Sequence, residues 1–93
     1  MIPRARVYMA IDGERAYQNR RWNETTTQSG GNHTVTEFLV YIRDYTEEAL
    51  HFLSRNPEPN AQEFALNNLR KIAGLAVAAM EQNGVRTRTE PDA

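Results

Sequence analysis

Residues 72–80, "IAGLAVAAM", run nine positions without a polar or charged side chain, and most of them are small. A helix carrying this run is apolar nearly all round, and such a helix is buried on several sides. Its small residues allow neighbouring backbones to approach closely. Asn60-Ala61-Gln62-Glu63 upstream has the pattern of a capping signal, and Asn83-Gly84 downstream supplies a C-cap. Between them Phe64, Leu66, Leu69, Ile72, Leu75, Ala76, Ala79 and Met80 carry an apolar face. The expectation is one long helix over 60–83 that needs covering from more than one direction.

A second helix is expected over 34–55. Thr34-Val35-Thr36-Glu37 fits a capping box, a threonine followed three residues later by glutamate. Phe38, Ile42, Tyr45, Ala49 and Phe52 then recur at steps of four and three, with Leu39 and Leu53 widening the stripe. This is amphipathic helix periodicity. Asn56-Pro57-Glu58-Pro59 ends it, because a residue before proline is pushed out of the α region. A third helix is expected over 3–22, opened by Pro3, whose missing N–H costs nothing in a first turn. Val7, Ala10 and Ile11 follow at helical spacing. Asp12-Gly13 predicts a break or kink, after which Glu14, Gln18 and Trp22 share one face with Arg15 beside it. Residues 23–33 form a loop rich in Thr, Gly and Asn, and 85–93 a frayed tail.

The fold class is therefore all-α, a long antiparallel helical hairpin with an N-terminal helical arm, in one domain spanning 1–84. A single hairpin leaves part of residues 72–80 uncovered, which predicts a homo-oligomer, most simply a dimer with a four-helix core. The alternative cover is the N-terminal helix of the same chain. With 93 residues, such a domain buries only about 60% of its unfolded surface.

Composition narrows the function. The net charge is −1, with ten arginines and one lysine, Lys71. The arginines form no continuous basic face, which argues against a nucleic-acid surface, and no apolar run approaches the ~20 residues that span a bilayer. Without cysteine, disulfides, thiolate zinc sites and thiol nucleophiles are excluded. The N-terminal stretch lacks the apolar core of a signal peptide. A cytoplasmic protein is expected, so the sequons at Asn23 and Asn32 are read as chance matches. No phosphate loop or serine-nucleophile arrangement is present.

Asp44, Glu47 and Glu48 stand at i, i+3 and i+4, where helical side chains neighbour one another. Magnesium takes oxygen ligands and often uses one or two carboxylates together with substrate phosphates. An antiparallel pair turning at 56–59 puts Glu48 opposite Asn68 and Asp44 opposite Ile72. The cluster then faces Asn67, Asn68, Arg70 and Lys71. Glu63 and Glu81 lie too far along the helix to join it, unless a neighbouring subunit brings one in. A salt-bridge network, with Arg43 joining Glu47, is the competing reading.

"ERAYQNRRW", a loop ending in His33, a helix with "EEA" at its middle and then "IAGLAVAAMEQNG" together resemble the MazG-like proteins of the all-α nucleoside triphosphate pyrophosphohydrolase superfamily, over about residues 14–84. Many small members of that family are encoded by phages and prophages. The resemblance implies helical dimers or tetramers and two acidic pairs holding magnesium. Those pairs fall here at Tyr45 and Glu48 and at Asn68 and Lys71, so Glu48 is the acid retained. The departure points to nucleotide binding without hydrolysis, with Arg70 and Lys71 as phosphate counter-charges, Trp22 stacking a base, and His33 or Arg21 on a phosphate; Tyr45 is a further ligand candidate, with core packing as its competing role. A phage-borne version would sequester a nucleotide or a nucleotide-derived immune signal in the host cytoplasm. One alternative is a magnesium-dependent pyrophosphohydrolase using Asp44, Glu47, Glu48 and Glu81. Another is a structural or protein-binding helical module.

Overall fold

The computed structural model describes residues 1–23 and 30–89. It is all-helical: α1 spans Arg4–Arg21, α2 Val35–Leu53 and α3 Asn60–Asn83. The expected loop at 23–33 and tail at 85–93 fall partly outside the described residues.

Local chemistry sets most boundaries. Pro3 caps α1 with extended backbone. Thr34 and Glu37 form the expected capping box: Glu37 N–H donates to Thr34 Oγ1 at 3.1 Å, and Thr34 N–H donates to Glu37 Oε1 at 2.9 Å. Thr34, first through its backbone N–H and then through its hydroxyl side chain, holds the Glu37 carboxyl below its ordinary pKa. Gly84 caps α3. Two local expectations fail. Asp12-Gly13 neither breaks nor interrupts α1. One helical glycine costs only about 1 kcal/mol, and contacts of Glu14 and Gln18 with α3 hold the following turn. Asn60 is not a side-chain cap: Pro59 holds that position without a side-chain hydrogen bond, and Asn60 is already helical.

α3 is the central element, with α2 on one side and α1 on another. Phe52 stacks on Phe64 at 4.2 Å near the connection, Asn68 Nδ2 donates to Tyr45 O at mid-length, and Gln82 Oε1 accepts from His33 N–H at the far end. The sequence separation between partners grows along this series, so α2 and α3 run in opposite directions. The innermost residues are Phe38, Leu75 and Ala78, with Trp22, Tyr41, Ile42, Tyr45 and Ala79 packed around them.

The docking of α1 departs from its apolar pattern. Its buried residues are Glu14 and Gln18, whereas Val7 and Ala10 are exposed and Ile11 is half-buried. The contact centres on Gly74. A Cβ at that position would stand 2.8 Å from Gln18 Nε2 and 2.9 Å from Glu14 Cγ. The small residue lets α1 reach the α3 backbone, where Gln18 Nε2 donates to Lys71 O at 3.3 Å. Polar residues are buried here because each has a partner: Glu14 accepts from Arg70 Nε at 3.0 Å, and Gln18 Oε1 accepts from Arg15 Nη1 at 3.0 Å. Thus α1 covers one side of the small-residue run. Leu39, Leu53, Leu66, Leu69 and Met80, expected on apolar faces, remain substantially exposed.

Candidate functional site

Where the second half of α1 packs on α3, a cleft opens that side chains of α1, α2 and α3 line together. It has a volume of about 210 Å³ and is lined by Glu14, Tyr17, Gln18, Arg21, Trp22, Tyr45 and Lys71. Arg21, Trp22, Tyr45 and Lys71, all expected on ligand, meet here from three separate segments. Tyr17 is not singled out by the sequence reasoning. Its position four residues before Arg21, one turn along the same helix face, is the signal that would have found it.

Charge within the cleft is uneven. Glu14 is buried and held by Arg70. Lys71 Nζ lies 5.4 Å from the centroid of the Tyr45 ring, within cation–π range, and no carboxylate forms an ion pair with it among the described residues. Trp22 sits 6.1 Å from Tyr41, with its ring tilted by 31°. The arrangement offers flat aromatic surface beside a cation, chemistry suited to a planar ligand carrying negative charge.

His33 and Arg70 do not join the cleft lining. His33 lies behind Trp22, their ring centroids 5.7 Å apart. Arg70 was expected to face the carboxylates of α2. It turns instead towards α1, with Nε on Glu14 and Nη1 on Asn67 Oδ1, and lines an adjoining depression with Glu14, Tyr17 and Lys71.

Asp44 and Glu48 line a further shallow cleft of about 270 Å³ with Tyr41 and Tyr45. Glu48 Oε1 accepts from Asn68 Nδ2 at 3.2 Å. Asp44 lies 3.9 Å from Arg43, so Arg43 approaches its neighbour and not Glu47. Glu81 is engaged by Arg15 Nε at 2.8 Å. Among the described residues no three His, Cys, Asp or Glu side chains come together in a group that could hold a metal ion. Of the competing interhelical or surface salt-bridge network, the described residues show the Arg43–Asp44 approach on α2 and no ion pair from α2 to α3; what crosses from Glu48 is the Asn68 amide.

No helix among the described residues is long and apolar enough to cross a membrane. No family model, curated protein or solved structure matches the chain.

Proposed function

We propose that this protein binds a nucleotide-type small molecule in the Trp22–Tyr45–Lys71 cleft and does not hydrolyse it. One observation carries the reading: Lys71, with no carboxylate partner, lies against the Tyr45 ring in a cleft that Trp22 and Arg21 also line. Trp22 and Tyr45 stack on the base, and Lys71 and Arg21 meet phosphate oxygens. The cleft is smaller than the ~300 Å³ at which small-molecule pockets begin, so it seats part of the ligand. The adjoining depression at Tyr17, Arg70 and Lys71 takes the remainder. In a cytoplasmic setting such a protein sequesters its ligand, and in a phage that ligand is a nucleotide signal of host defence. The resemblance to MazG-like proteins supports the nucleotide class, and the amide and lysine on α3 support binding without magnesium.

The assembly is a homo-oligomer, most simply a dimer. α3 meets α2 through Phe64 and Asn68 and α1 through Gly74. Its remaining side carries Leu66, Leu69, Ala73, Ala76 and Met80 at steps of three and four, with Leu66 and Leu69 each 56% exposed. α2 adds the exposed Val35, Leu39, Leu50 and Leu53. The charge-free stripe on α3 is complementary to a second copy of itself. The same apolar surface favours, as a second reading, a module that binds another protein and no nucleotide.

A thermal-shift panel of nucleotides, cyclic nucleotides and NAD-derived compounds, with and without magnesium, tests the proposal. The expected result is stabilisation by one compound class without magnesium and without turnover. Stabilisation that strictly requires magnesium, with pyrophosphate release, would favour the hydrolase reading. No shift with any compound would favour the protein-binding module.

A further inference from the structure

The His33 side chain is 9% exposed, yet both ring nitrogens are buried, and among the described residues neither has a hydrogen-bond partner. Glu37 Oε2 stands 3.8 Å from Nδ1, close enough for an electrostatic contact that helps hold the Glu37 carboxyl low but beyond hydrogen-bond range. Imidazole nitrogens normally find partners when buried, so this ring contributes through its edges and faces. Those meet three aromatic rings edge-on: Trp22 at 5.7 Å, Phe38 at 5.5 Å and Tyr41 at 5.5 Å between centroids. Edge-to-face contact is a favoured aromatic geometry because the positive ring edge meets a negative ring face. His33 thus contacts Trp22, the ring Trp22 leans on, and the core beneath both.

The backbone around His33 is fastened to the end of α3. Its N–H donates to Gln82 Oε1 at 2.8 Å, and Asn83 Nδ2 donates to its carbonyl at 3.4 Å. Gln82 Nε2 also donates to Gly31 O at 3.1 Å. Gly31 has φ +87°, and a Cβ there would stand 2.5 Å from Trp22 O. Only glycine combines that φ with so close an approach. The chain therefore returns tightly against Trp22, and Gln82 holds the return in place.

We infer that His33 is a positioning residue that fixes the Trp22 indole against Tyr41 by ring shape. Gln82 is the anchor through which α3 sets the position of His33. The relevance of this to a ligand rests on the cleft reading, but the placement of Trp22 does not.

Trp22 is the only tryptophan in the chain, so its fluorescence reports on this placement with no ligand present. His33→Ala is expected to red-shift Trp22 emission and increase quenching by acrylamide, while His33→Phe keeps both near the wild-type values. A His33→Ala protein with unchanged emission and quenching would overturn the inference. So would a His33→Phe protein as perturbed as His33→Ala, because the nitrogens would then be needed. Where His33→Ala fails to fold by circular dichroism, Gln82→Ala carries the test. It leaves the ring in the chain but removes its anchor, and an unperturbed Trp22 there also counts against the assignment. A nucleotide panel with no binder would remove the ligand reading and leave these fluorescence outcomes decisive.

Discussion

Lys71 Nζ lies 5.4 Å from the centroid of the Tyr45 ring, and among the described residues it makes no ion pair. The cation is held over an aromatic face and stays available to an incoming anion. Lys71→Gln removes the charge while keeping most of the stem. A charge-assisted hydrogen bond contributes about 1.5–3 kcal/mol, so nucleotide affinity should fall by about tenfold or more. Titration followed by Trp22 fluorescence checks this, and the melting temperature should change little.

Close packing at Gly74 leads to a second expectation. Gly74→Ala gains about 1 kcal/mol of helix propensity, against an overpacking cost of about 1–3 kcal/mol where the added methyl meets Glu14 and Gln18. The net effect is expected to be neutral to mildly destabilising in a thermal melt. Gly74→Leu has no such balance. It should lever α1 off α3 and expose Trp22, seen as a red-shifted emission with the helix content of α2 and α3 retained.

The Glu37 capping box gives a pH dependence of known sign. The hydrogen bonds from Thr34 lower the folded-state pKa of Glu37 below its ordinary value of 4.5. A lowered carboxyl pKa contributes stability that is present above the unfolded value and is lost as pH falls through the folded one. Stability should therefore decline on acidification below about pH 4.5, and Glu37→Gln should flatten that part of the profile. Denaturant melts of both proteins between pH 3 and 7 measure the difference.

Exposed Leu66 and Leu69 test the assembly. Leu69→Glu places a charge in the middle of the α3 stripe, and burying it without a partner would be costly. Light scattering should show the wild-type chain as an oligomer and Leu69→Glu shifted to a smaller species. A wild-type protein that is monomeric at high concentration would refute the oligomer.

Much of the secondary structure is legible in the sequence because its causes are local. Thr34 and Glu37 are three residues apart, and their mutual hydrogen bonds decide where α2 begins. The short Pro57–Pro59 connection also makes the α2–α3 register legible, so Asn68 meets Glu48 as expected. The residue types of the cleft were readable too: Arg21, Trp22, Tyr45 and Lys71 stood out as an aromatic and cationic set.

Their convergence was decided only in three dimensions. Gln18 and Lys71 are far apart in sequence, and only the crossing of α1 over Gly74 brings them together. No periodicity marks Glu14 and Gln18 as the buried side of α1, because their burial depends on Arg70, Arg15 and the Lys71 carbonyl as partners. The same crossing turns Arg70 away from the carboxylates of α2, and the return of the chain past Gly31 places His33 behind Trp22. Short-range hydrogen bonding and apolar periodicity thus specified the three helices, whereas a close approach permitted by one missing side chain decided which polar groups share a site.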